Sequence, residues 1–129
     1  MADSITKSYI NTYPDKPQGY SFNVRVAKMM DKDTSRGLAI VPIQRQNQFL
    51  APSKDTSVSA KQTIFRNDTY LLLYYANYAK EGTKADNYRK GIAIANEMIA
   101  LYPDPASEEN KYATGIKGLL EAQLKKAGQ

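Results

Sequence analysis

The chain has 129 residues, enough to bury a real core but short for two independent ones, so length alone predicts one cooperative domain. It contains no Cys, His or Trp, which removes disulfides, thiolate and imidazole metal ligands and the commonest general base, leaving carboxylates, Lys, Tyr, Ser and Thr for any chemistry. The formal charge of +5 comes from 18 Lys and Arg against 13 Asp and Glu, but only Arg89-Lys90 and Lys125-Lys126 are adjacent basic residues, a dispersion that argues against nucleic-acid binding.

Helix-ending motifs recur along the chain: Tyr13-Pro14-Asp15, Ala51-Pro52-Ser53 and Tyr102-Pro103-Asp104 each follow one amphipathic stretch and precede another. Pro cannot continue a helix, and an aromatic before it packs back on the preceding turn, so each motif closes one helix and opens the next unit. Asp3 can cap a first helix to about Tyr13, with Ile5, Tyr9, Ile10 and Tyr13 on one face. That helix has no partner before it and reads as the second half of a hairpin whose first half either belongs to a longer repeat protein or never existed. Met1-Ala2-Asp3 opens nothing like a secretory signal, although a processed leader stays open, and no apolar run approaches the roughly 20 residues that span a bilayer. A soluble protein, periplasmic or cytoplasmic, is the expectation.

After Pro14, Pro17 suits a first helical turn and the helix runs to about Met30. Tyr20, Val24, Ala27 and Met30 share one face, broadened by Phe22, Val26 and Met29. Asp31-Lys32-Asp33-Thr34 is a polar turn offering Asp33 or Thr34 as the next cap, and a helix from Ser35 to about Leu50 follows. Its Pro42 implies either that the helix begins near Val41 or that it is kinked there. Ser57 is the expected cap of a long helix from about Ser59 to Glu81, whose segment Tyr70 to Tyr75 is too apolar for a helix covered on one side only. Gly82 ends it. The polar turn Thr83 to Asn87 leads to a helix ending at Tyr102, with stripes at Ile92, Ala95, Ile99 and at Ile94, Met98, Leu101. Asp104-Pro105 supplies an N-cap and an N1 proline for the last helix, where Tyr112, Ile116, Leu119, Leu120 and Leu124 recur at helical spacing and Gly128 stops it. Six helices with short connections and no period-two alternation predict an all-α fold.

Two blocks resemble the tetratricopeptide-repeat family. Tyr13-Pro14-Asp15-Lys16-Pro17-Gln18-Gly19-Tyr20, then Asp31-Lys32-Asp33-Thr34 and Gly37-Leu38-Ala39, resembles a recurring unit of bacterial members. Tyr74 to Gly82 and Tyr88 to Pro103 resemble the general repeat: Tyr78 stands at the aromatic of the first helix, Gly82 at the turn, Gly91 at the helix crossing and Pro103 at the terminal proline. The spacings depart from the family, at 38 residues between Pro14 and Pro52 and 51 between Pro52 and Pro103, against a family repeat of about 34, so insertions must lengthen the units. The resemblance implies antiparallel hairpins over residues 1–14, 15–52 and 53–103 with a terminal helix 104–129, stacked as a short right-handed superhelix. It places Asn23 and Arg25, with Thr69, Leu72, Ala76 and Lys80, along a concave groove, where Arg25 and Lys80 could clamp a carboxylate of a protein or peptide partner. On a solvated face the same two cations simply aid solubility.

Other candidates carry less. Tyr70, Tyr74, Tyr75 and Tyr78 form either a binding surface or core packing with hydroxyls at its edge. The pairs Asp31 with Asp33 and Glu108 with Glu109 sit in turns or first helical turns, where acids cap helices. Asp31-Lys32-Asp33 lacks the Gly and terminal Glu of a calcium loop, and Asn67-Asp68-Thr69 spells a glycosylation site inside a predicted helix. The expectation is a non-catalytic protein-interaction scaffold without cofactor or metal. Its alternative is a structural domain packing against the rest of a longer parent chain.

Overall fold

The computed structural model describes residues 17–31 and 36–127. Helix takes up 81% of them and no strand occurs among them, which makes the class all-α. The described α-helices are α1 (Pro17–Met30), α2 (Ile40–Leu50), α3 (Val58–Leu73), α4 (Lys84–Leu101) and α5 (Glu108–Ala127). A 3₁₀ turn, Ala51–Ser53, follows α2, and a π-helical turn, Tyr74–Tyr78, follows α3. The expected helix from Asp3 to Tyr13, the caps Asp33 and Thr34 and the stop at Gly128 lie outside the described residues. Contacts gather the chain into two compact units, Met1–Ile64 and Phe65–Gln129, divided inside α3 rather than at Pro52 or Pro103.

In the first unit α1 and α2 pack antiparallel. The Tyr20 ring stacks on Phe49 with centroids 4.5 Å apart, and Gln46 Nε2 donates to Ser21 Oγ at 3.0 Å, which sets the register. Tyr20, Val24, Val26, Ala27 and Ile43 are buried along this seam. Three residues expected on the buried side of α1 face solvent instead: Phe22, Met29 and Met30. The helix α2 begins at Ile40, not at Ser35, because Gly37 adopts φ +67° and ends any helical run leading into it. Pro42 is then the third residue of α2, in the first turn, where its missing N–H removes no intrahelical bond. Of the two alternatives its position posed, a late start is the one adopted.

In the second unit α4 and α5 pair antiparallel against the end of α3. Leu72, Ala95, Met98, Ala113 and Leu120 form the buried core, with Phe65, Ile92 and Ile116 packed around it. Gly91 marks a close approach of α4 and α5: a Cβ there would lie 2.8 Å from Leu120 Cδ1, so the Leu120 side chain would have to shift to admit one. Close approach of α5 offsets the roughly 1 kcal/mol that Gly costs within a helix. The Phe65 ring meets Tyr102 edge-on at 5.3 Å, and burial, then the nearby Glu109 carboxylate, pushes the Tyr102 phenol above its ordinary pKa.

Helix starts in this unit are set by hydroxyls. Thr83 Oγ1 accepts from Asp86 N–H at 3.0 Å, so α4 begins at Lys84, three residues before the expected Asn87. Ser107 Oγ accepts from Asn110 N–H at 3.1 Å and donates to the Asp104 carbonyl at 2.8 Å. The expected Asp104 cap instead closes the preceding turn through Ala106 N–H at 2.9 Å, and α5 starts at Glu108. Thr83→Ala and Ser107→Ala are each expected to lower stability by about 1 kcal/mol, read from urea denaturation followed by far-UV circular dichroism.

Candidate partner-binding surfaces

A cleft of about 320 Å³ opens on the α1–α2 seam, lined by Asn23, Ala27 and Met30 of α1, by Leu38 ahead of α2, and by Val41, Pro42 and Arg45 of α2. The spacing explains it. Asn23, Ala27 and Met30 follow one another at helical intervals on one face of α1, Val41 and Arg45 do the same on α2, and Leu38 joins them from the turn ahead of it. Asn23, Ala27 and Pro42 are buried and make the floor, while Met30 and Val41 are 55% and 59% exposed and make an open rim. Leu38 and Arg45 are half-buried between them.

Asp31 holds one end of the cleft. It lies just past α1, only 3% exposed, and its two carboxylate oxygens accept the N–H of Arg36 at 3.1 Å and of Leu38 at 3.2 Å. Hydrogen bonds from backbone N–H to a carboxylate are among the stronger ones, so this residue fixes where Leu38 enters the lining.

Of the six residues expected along a groove, Asn23 is in this cleft floor and Arg25 is exposed on α1. In the second unit Thr69 is half-buried and turns its hydroxyl back to the Phe65 carbonyl at 2.9 Å, Ala76 packs on the core, and Lys80 is exposed. Leu72 is fully buried at the centre of the core, so its side chain offers no surface to a partner. Met30, Leu38, Val41 and Arg45, which also build the cleft, are not among those six; the signal that marks it is Arg45 one helical turn after Val41, a cation in an apolar stripe.

The tyrosines divide. Tyr70, Tyr74 and Tyr75 are half-buried and Tyr78 is 43% exposed. Tyr74 and Tyr75 meet edge-on at 5.2 Å, and Lys90 Nζ lies 5.4 Å from the Tyr75 ring centroid. Here the helix widens: Ala79 N–H donates to the Tyr74 carbonyl at 2.8 Å, five residues back, and Ala79 is then extended. The helix therefore ends at Tyr78, short of Glu81, whose carbonyl accepts from the buried Asn87 Nδ2 at 3.0 Å. Gly82, at φ +76°, carries the following turn.

Among the described residues no three Asp or Glu gather as a metal would need, and no helix is long and apolar enough to cross a membrane. Asn67, inside α3, is 4% exposed. Compared with protein-family models, with curated protein sequences and with solved structures, the chain matches none.

Proposed function

We propose that the chain is a non-catalytic protein-interaction module of tetratricopeptide type, which binds a segment of a partner protein. The observation that carries this is the seam cleft of the first unit: a buried floor, exposed apolar rims at Met30 and Val41, and the half-buried residue Arg45 in the lining. Rigid helix pairs with adaptable Met side chains at an open apolar surface are a setting in which proteins dock partner segments. In this proposal the hairpins nest as a short right-handed superhelix, and the exposed cations Arg25 and Lys80 serve its partner-binding side. Affinity capture from cell lysate with wild type and with Arg25→Glu/Lys80→Glu tests the wider groove. Loss of the captured protein in the double variant is expected, and equal recovery removes Arg25 and Lys80 from the interface.

A second reading, structural attachment to another part of a longer chain, draws on the outer face of α5. There Leu119 is 64% exposed, and a Cβ on Gly115 or Gly118 would meet nothing within 4 Å.

A further inference from the structure

We infer that the seam cleft takes an acidic amphipathic helix of a partner protein, with a large apolar side chain between Met30, Leu38 and Val41 and a carboxylate one helical turn away on Arg45. This rests on the interaction-module reading and adds the chemistry of what is bound. Arg45 stands four residues after Val41 on α2, about 6 Å further along the axis. The apolar and cationic ends of the cleft are thus one turn apart. An amphipathic helix presents side chains at i and i+4 with that same separation of about 6 Å, so one helical face of a ligand meets both ends together.

The charge of the first unit selects the sign of the partner. Residues 1–64 hold nine Lys and Arg against five Asp and no Glu, a formal +4, whereas 65–129 hold nine against eight, a formal +1, which together make the +5 of the chain. Among the described residues no carboxylate is within ion-pair distance of Arg45. The planar guanidinium of Arg45 can take a carboxylate through two parallel N–H···O bonds, a fork geometry that a Lys ammonium lacks. The shape selects a side chain rather than an enclosed small molecule. At about 320 Å³ the cleft is at the small end of the roughly 300–1,000 Å³ range of ligand pockets, and exposed Met30 and Val41 leave it open along one side. Docking of an amphipathic helix into a hydrophobic groove, anchored at i and i+4, is the recognition mode that these dimensions fit.

The test uses the full chain and two fluorescein-labelled helical peptides, one with Leu and Glu four residues apart and one with Lys replacing each Glu, in fluorescence anisotropy at low salt. Wild type is expected to bind the Glu peptide at least tenfold more tightly than the Lys peptide. Arg45→Glu should weaken Glu-peptide binding at least tenfold and reverse the preference. Val41→Asp, at an exposed position that leaves the fold intact, should weaken it similarly, and Lys54→Glu, the same charge change on the exposed turn after α2, should alter it less than twofold. Equal binding of the two peptides by wild type overturns the inference, as does an equal loss in Arg45→Glu and Lys54→Glu, which would mean net charge alone. If neither peptide binds but wild type and Arg45→Glu capture the same lysate protein, this cleft assignment fails while the interaction-module reading stands. If wild type captures nothing and binds neither peptide, both fail.

Discussion

Leu72→Ala is expected to lower the free energy of unfolding by about 2–5 kcal/mol. Its side chain has no exposed surface and lies among Ala95, Met98, Ala113 and Leu120, where three helices close on one another. Truncation removes apolar contacts and leaves a cavity that α4 and α5, already pressed together at Gly91 and Leu120, have little freedom to fill. Groove placement of the same residue gives the opposite pattern, a small stability change with weakened partner binding. Thr69→Ala supplies the contrast: its hydroxyl bonds only the carbonyl four residues back on its own helix, so a loss under about 1 kcal/mol is expected. Urea denaturation monitored by far-UV circular dichroism reads both. A loss below about 1 kcal/mol for Leu72→Ala would be ordinary for a surface site and would contradict its place in the core.

Asp31→Ala should cost about 1.5–3 kcal/mol, the range for hydrogen bonds to a charged group. Both carboxylate oxygens are engaged, one by Arg36 N–H and one by Leu38 N–H, and Ala leaves these donors without their acceptor. Asp31→Asn keeps the shape and one carbonyl oxygen and is expected to recover part of the loss. Because Leu38 lines the cleft, Asp31→Ala should also weaken Glu-peptide binding while Asp31→Asn weakens it less. Unchanged stability in Asp31→Ala, measured by the same denaturation, would show that the turn into α2 is held by other contacts.

Much of the helical framework was legible because its signals are local. Pro17 opens α1, Ser57 caps α3 through Ala60 N–H at 3.2 Å, and the alternation of amphipathic stretches with Pro motifs gave the all-α class. Thr83-Lys84-Ala85-Asp86 also spelled a cap, a hydroxyl followed three residues later by an acid, but was read as a polar turn. The start of α2 was hidden because a glycine in a helical pattern does not announce a positive φ; only the backbone at Gly37 shows it. The π-helical turn was hidden for a related reason, since a run of apolar and aromatic residues fits an α-helix as well as a wider turn. The candidate site was the least legible part. Asp31 acts on N–H groups five and seven residues ahead, and the cleft arises where α1 and α2 pack, so Met30, on the apolar face by periodicity, stands at an open rim with Val41.

Amide chemical-shift mapping of the ¹⁵N-labelled chain during titration with the Leu and Glu peptide decides most directly whether the first helix pair is a docking site. Shifts centred on Asn23, Ala27, Leu38, Val41 and Arg45 are predicted. Shifts confined to Tyr74–Tyr78, or spread evenly over both units, would contradict it.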